Sequence, residues 1–327
     1  MRVEATAAGL YLPDVGLHLD PASPVAYAAV SHGHGDHARA LPGRMWATPE
    51  TAAIVRVRLG ETETVVAGYR EPLDLRLPGH APARLTFFSA GHVLGSAGIL
   101  VESGGERLFY TGDVKLASSL TCAPADIPEC DDLLIESTFG LPVFRFPEVE
   151  ETRAMIVALA RDALAADETP VFLGYALGKG PEIARILGDA GIPVSLHGAV
   201  WKMAEIYARF GVSLGGAVRY EAGGSAGKAL VVPPSCRTHP MIAKLKRSRI
   251  VAVTGWALLD ASHDRYGAQA LVALSDHAGY EDLLRIVARS GARRVRTLHG
   301  FAPSLARVLA LGGMDAEPLA ATRAPEA

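Results

Sequence analysis

Apolar residues along this chain follow two rhythms. In the first part they come in short runs rich in β-branched and aromatic side chains, such as Arg84-Leu85-Thr86-Phe87-Phe88, Leu108-Phe109-Tyr110 and Leu133-Leu134-Ile135, separated by Gly, Pro and Asp. Runs this short predict strands, so the first part reads as sheet-rich. From about residue 148 the spacing lengthens. Ile156, Leu159, Ala160, Ala163 and Leu164 recur at the helical period, and Glu148, Glu150 and Glu151 stand where a helix start favours negative charge. Val171-Phe172-Leu173 then reads as a strand, 181–187 as the first turns of a helix, and 230–232 and 250–253 as further strands. That alternation predicts a small α/β unit with a parallel sheet. Later come an expected helix over Tyr280–Ser290, a strand over 295–298, and an Ala/Pro-rich tail expected to fray after about 315.

Composition sets the bounds. A chain of 327 residues suggests one large domain or two, and 49% hydrophobic with 20% charged residues is ordinary for a soluble protein. No apolar stretch is long enough to span a bilayer, and Met1-Arg2-Val3-Glu4 does not open a secretory signal, so no membrane partner and a cytoplasmic location are expected. Cys122, Cys130 and Cys236 are an odd, widely spaced set and read as small buried or half-buried residues. With a net charge of -3, any nucleic-acid partner must meet local basic patches. The candidates are Lys244, Lys246, Arg247 and Arg249, then Arg293, Arg294 and Arg296; both clusters also read as solvated charges leading into strands.

The strongest chemical signal is Ser31-His32-Gly33-His34-Gly35-Asp36-His37, which packs four potential metal ligands into six residues after the strand-like Ala28-Ala29-Val30. Imidazole and carboxylate suit a borderline cation such as zinc. Histidines at i and i+2 on a turn can face one metal, the following Asp-His pair a second, and the glycines let the loop fold tightly. A solvated turn that happens to hold histidine is the bland alternative, and four donors in one turn outweigh it.

These residues resemble the metal loop of the metallo-β-lactamase superfamily. Asp20 in Leu19-Asp20-Pro21 resembles its first motif, an Asp that orients the loop from behind the ligands. Ser89-Ala90-Gly91-His92-Val93-Leu94-Gly95-Ser96 resembles the third motif, and Thr111-Gly112-Asp113 the fourth. Ile135-Glu136-Ser137-Thr138, Leu274-Ser275-Asp276-His277 and Leu298-His299-Gly300 resemble motifs A, B and C of the β-CASP branch, the nucleases of RNA 3′-end processing and DNA crosslink repair. The resemblance implies an α/β fold: an αββα sandwich from segments 1–145 and 266–327, with a parallel-sheet β-CASP domain inserted at 146–265. It implies two divalent ions, zinc first with manganese as an alternative for activity. One would be held by His32, His34, His92 and bridging Asp113, the other by Asp36, His37 and Asp113, with His299 completing or flanking it. Catalytic roles would fall to Asp36, Asp20, His277 as proton donor to the leaving oxygen, and Glu136 orienting it.

In length and in Leu196-His197-Gly198-Ala199, Val232-Pro233-Pro234-Ser235 and Gly255-Trp256, the chain looks most like bacterial ligase-associated DNA exonucleases, also labelled mRNA 3′-end processing factors. That points to hydrolysis of DNA, single-stranded or at duplex ends, by an exonuclease of repair, with a DNA ligase and a helicase as working partners. Ribonuclease action on RNA is the alternative. Phe301 stands where RNA-processing relatives often carry Glu, whereas His299 is a residue many eukaryotic DNA-specific relatives lack, so motif C does not separate the two. Ser137, Thr138 and Lys179 are candidate phosphate contacts. Gly174-Tyr175-Ala176-Leu177-Gly178-Lys179 is one residue too short for a P-loop and continues with Gly180 rather than Ser or Thr. Ser275-Asp276-His277 holds triad residue types, but adjacent side chains do not face one another as a triad must.

Overall fold

A computed structural model describes residues 1–224 and 226–319. The described residues divide into two compact units: Met1–Ala117, Ala123–Phe144 and 277–319 form the first, Ser118–Cys122 and Arg145–Asp276 the second.

The first unit holds two sheets. One has six strands in the order Glu4–Thr6, Gly9–Leu12, Leu17–Leu19, Tyr27–Ala29, Arg44–Ala47 and Glu63–Val66. The other has seven, in the order Asp315–Pro318, Arg294–Leu298, Asp132–Glu136, Glu106–Tyr110, Ala97–Ser103, Ala83–Ser89 and Pro72–Leu75. Strand alternation sends Leu12, Leu17, Leu19 and Ala29 from the first sheet and Leu85, Phe87, Ile99, Val101, Leu108 and Tyr110 from the second into one shared core. On the outer face of the second sheet, Phe109, Leu133, Ile135 and Val295 meet Leu283, Ile286 and Val287 of helix Tyr280–Ser290 and Leu305 and Leu309 of helix Ala302–Leu311. On the outer face of the first, Met45 and Ala47 meet Val55 of helix Pro49–Leu59. The layers are therefore helix, sheet, sheet, helix. Each fully buried Leu, Ile or Phe contributes roughly 1.5–3 kcal/mol, so the shared core is a principal support of this unit.

Local chemistry ends the helices. Thr48 caps Pro49–Leu59 by accepting the amide of Thr51, with proline at the first turn, and Gly60 at φ 102° stops it. Tyr280–Ser290 begins on acidic Glu281 and Asp282 and stops at Gly291 in the left-handed region.

The second unit is a six-stranded sheet, all parallel, in the order Val218–Arg219, Val194–Leu196, Ala229–Val232, Thr169–Leu173, Ser248–Val253 and Ala270–Val272. The central strand Ala229–Val232 is buried at every residue, as a sheet covered on both faces requires. Helices Lys179–Asp189 and Gly198–Arg209 are crossovers, and helix Val149–Ala165 leads into strand Thr169–Leu173 and packs on the sheet. Helix Lys179–Asp189 starts two residues before the sequence pattern indicates, because Gly178 at φ 83° turns the chain ahead of it and Pro181 is tolerated in the first turn.

The tail corrects one expectation. Asp315–Pro318 does not fray; it pairs in parallel with Arg294–Leu298, since that strand otherwise presents an open sheet edge. Residues 320–327 of the expected frayed tail lie outside the described residues. The basic clusters are largely engaged. Arg247 and Arg249 pair with Glu168, Arg293 with Asp131, Arg294 with Asp132, and Arg296 with Glu317. No described helix is long and apolar enough to cross a membrane.

Candidate metal centre

The metal loop hangs from the end of strand Tyr27–Ala29, and its anchor is Asp20. Asp20 is buried and sits at φ 45°, a left-handed conformation that costs a non-glycine residue energy and persists only when its surroundings enforce it. Four donors do so. Asp20 Oδ1 accepts the amide of Ser31 at 2.7 Å, and Oδ2 accepts Ser31 Oγ at 2.5 Å, Tyr110 Oη at 2.9 Å and His37 Nδ1 at 2.7 Å.

This network sets ring tautomers. Ser31 gives its proton to Asp20, so at 3.0 Å it accepts one from His32 Nδ1. His32 Nε2 is left with a lone pair aimed inward. His37 likewise commits Nδ1–H to Asp20 and turns Nε2 inward.

What those nitrogens face decides the chemistry. His34 Nδ1 lies 3.1 Å from His32 Nε2 and 3.0 Å from His92 Nε2. Asp113 Oδ2 lies 3.5 Å from the first Nε2 and 3.6 Å from the second. One ring proton on His34 can serve only one of its two neighbours, whereas a cation serves every donor. Tetrahedral coordination at about 2.0–2.1 Å places ligand atoms about 3.3 Å apart, close to what is found. The other oxygen of Asp113, Oδ1, faces His37 Nε2 at 3.3 Å, and Asp36 Oδ2 lies 3.6 Å from that nitrogen. His32, His34, His92 and Asp113 thus form one group able to hold a metal, and Asp36, His37 and Asp113 a second, with one oxygen of Asp113 turned to each.

Electrostatics agree with that division. Burial, with repulsion from His37, holds the His32 imidazole well below its usual range, so it is neutral and ready to bind a cation. Burial also opposes charge on His37, yet Asp113 and Asp20 push it well above its usual range; that nitrogen faces a place that demands positive charge. Asp113, against the same desolvation, is held well below the carboxylate range by His37 and His277. Asp36 is lowered too, its burial outweighed by His37.

Two further clusters of titratable residues lie beside these groups. In the first, Asp20 anchors His37 directly and His32 through Ser31. In the second, His277 stands between Glu136, at its Nδ1, and Asp113, 3.9 Å from its Nε2. Glu136, the last residue of strand Asp132–Glu136, accepts the amide of Val114 at 2.8 Å and faces His277 Nδ1 with both oxygens, at 2.9 and 3.0 Å. The helix that follows begins at Tyr280 with Gly279 as its cap, which leaves His277 in the loop before it.

The remaining candidates sit variously. His299 follows strand Arg294–Leu298 at φ 59°, its ring centroid 5.7 Å from that of His37; among the described residues it joins none of the metal-holding groups. Gly300 continues the turn at φ 44°, where a Cβ would come within 2.4 Å of Thr138 Cα. Ser137 is buried and donates its hydroxyl to the carbonyls of Leu298 and His299, at 2.6 and 3.0 Å. The amide of Thr138 lies 3.4 Å from Glu136 Oε2. Lys179, in the second unit, is buried with Nζ 3.5 Å from Asp276 and over the Tyr175 ring. Sequence reading missed Tyr110, which stands 90 positions from the Asp20 it supports, and Val114, whose contribution is a backbone amide that no residue type signals.

No family model matches the chain. It is 35% identical over 312 residues to a probable DNA ligase of Opitutus terrae, covering 94% of this chain and 30% of that protein. It is 29% identical over 180 residues to an RNase J-like protein of Methanocaldococcus jannaschii, covering 49% of this chain and 42% of that one. The chain thus spans less than half the length of these curated relatives. A crystal structure of a protein of unknown function from Enterococcus faecalis shares the fold, with a TM-score of 0.60 and 15% identity, covering 91% of this chain and 79% of that one. Two sheets between helices, a histidine-rich loop after a strand and a shared aspartate describe a metallo-β-lactamase domain. With motifs A to C and these relatives, the chain belongs to the β-CASP branch of that superfamily.

Proposed function

We propose that this chain is a two-metal phosphodiesterase that hydrolyses DNA as an exonuclease in repair. The observation that carries the reading is Asp113, whose two oxygens face two separate ligand groups beside the His277–Glu136 pair. In this reading zinc, or manganese in its place, is held by His32, His34, His92 and Asp113 and by Asp36, His37 and Asp113, with His299 flanking the second group. Such a pair of ions, when bound, acidifies water and neutralises charge on a phosphodiester.

The chain's own residues do the rest. Asp20, through Ser31 and directly, holds His32 and His37 in the tautomers that leave both Nε2 atoms free to coordinate. Glu136 accepts Nδ1–H of His277 and fixes the ring so that Nε2 faces the Asp113 carboxylate, 3.9 Å away. From there His277 protonates the departing oxygen, and Glu136 supports the charge the ring carries beforehand. The second unit serves as the inserted β-CASP domain.

Likeness to a probable DNA ligase over 94% of the chain supports DNA as the substrate and a ligase as a partner; a helicase partner rests on the family resemblance alone. Likeness to an RNase J-like protein favours the second reading, a ribonuclease. End-labelled single- and double-stranded DNA and RNA, incubated with zinc or manganese, decide between them. Stepwise shortening of DNA supports the proposal. RNA degradation with DNA untouched transfers it to the ribonuclease reading, and hydrolysis of neither ends it.

A further inference from the structure

Two lysines are buried in this chain, and they differ. Lys179, 6% exposed, has its ammonium beside Asp276. Lys115 is only 4% exposed, and among the described residues its ammonium has no ion-pair or hydrogen-bond partner. The Lys115 ammonium is not among the fully buried atoms that lack a partner, so the stem is packed inside while the charged tip keeps a narrow opening to solvent; a Met or Leu would fill the space of the stem without placing a charge there.

Its position offers a reason. Lys115 stands two residues after Asp113. Its amide donates to the carbonyl of Ala90 at 2.9 Å, which seats it beside the turn that carries His92. Its own carbonyl comes so near Gly91, at φ +71°, that a Cβ there would lie 2.3 Å from it. The backbone of Lys115, on the segment that bears Asp113, is therefore packed against the turn that bears His92. The carboxylates of that centre are engaged elsewhere: Asp20 by Ser31, Tyr110 and His37, Glu136 by Val114 and His277, Asp113 by the imidazoles. None of them pairs with Lys115.

We infer that Lys115 is a phosphate-binding residue, whose ammonium takes a non-bridging oxygen of a phosphodiester brought to the metal centre. This rests on the nuclease reading above. A permanent side-chain anion would satisfy Lys115 at all times. An unpaired ammonium reserves its charge for an anion that arrives and leaves, and a nucleic-acid backbone is such an anion. Lysine suits the task as a compact point charge.

The test uses the metal-loaded full chain and its Lys115→Met and Lys115→Arg variants, with a single-stranded oligodeoxythymidylate and its oligouridylate counterpart as probes. Lys115→Met should keep the wild-type metal content and melt no lower than wild type, because methionine fills the space of the stem and no protein partner is lost. Its kcat/KM on the preferred probe should fall about 10- to 100-fold, mainly through KM, as loss of a charged hydrogen bond predicts. The slope of log(kcat/KM) against log salt should become shallower by about 0.7, the signature of one lost phosphate contact on a single strand. Lys115→Arg should retain the wild-type slope and recover part of the activity. A structural lysine would leave the salt slope unmoved, and an unmoved slope overturns the inference even if activity falls. If Lys115→Met does not fold, Lys115→Gln is held to the same slope criterion. A wild-type chain that degrades neither probe refutes the nuclease reading and this inference with it; a wild-type chain that degrades one while the neutral variants match it refutes this inference alone.

Discussion

His277 presents Nδ1 to both oxygens of Glu136, at 2.9 and 3.0 Å, while its Nε2 stands 3.9 Å from Asp113 Oδ2. The two residues are 141 positions apart in the chain. Glu136 is buried and held by a backbone amide, so it acts as a fixed acceptor that orients the ring rather than a mobile carboxylate that follows it.

Replacing His277 with Ala should therefore lower turnover about 10²- to 10⁴-fold, the usual range for a general acid, with metal content unchanged. The defect should shrink on a nitrophenyl phosphodiester, whose leaving group departs without a proton. Steady-state rates on both substrates, with elemental analysis of the variant, check this; loss of a metal would make His277 a ligand and exchange its role with that of His299.

Metal loading should expel a proton. In the metal-free chain His37 is held well above its usual range, so it is protonated at neutral pH, and coordination through Nε2 requires that proton to leave. Calorimetric titration with zinc in buffers of different ionisation enthalpy should show release of about one proton per chain from this residue, and affinity should fall as pH falls. The raised His37 adds stability to the metal-free fold that is complete below its ordinary range and fades as pH rises through the elevated value. His32, lowered instead, costs the fold stability below its ordinary range, as the unfolded chain takes up a proton the native state refuses. Proton-independent binding would contradict the ligand role of His37.

Asp20→Asn should destabilise the chain by about 2–4 kcal/mol, because a neutral amide brings an NH2 group to a position where four donors converge. It should also weaken metal binding about 10- to 100-fold, since His37 loses the acceptor that fixes its tautomer. Thermal melts of the metal-free variant separate the first effect from the second, measured by competition with a chelator.

Cys130 should be the unreactive thiol. It is buried, and burial pushes its pKa up to about 12, so in the native state it stays a thiol where Cys122 and Cys236, both half-buried, have more access to solvent. Alkylation at pH 8 followed by peptide mass spectrometry should label Cys130 last. The same shift makes native stability complete below the ordinary cysteine range and erodes it as pH rises toward about 12.

Much of this chain was legible before folding because the signals are local. Four donors in a six-residue turn after a strand, acidic residues at the start of Val149–Ala165 and the alternation of strand and helix after it depend on neighbours a few positions away, where periodicity and spacing are decisive. What only the tertiary structure decided is long-range. Tyr110 and Asp20, His277 and Glu136, and the two faces of Asp113 meet because separate strands end at one edge of the sandwich, and no spacing in the sequence encodes that meeting. The left-handed turn at His299, the pairing that keeps Asp315–Pro318 from fraying, and the missing partner of Lys115 are of the same kind. A lysine in a sequence is a charge facing water by default; only packing can bury it, and only the full set of neighbours shows that nothing answers it.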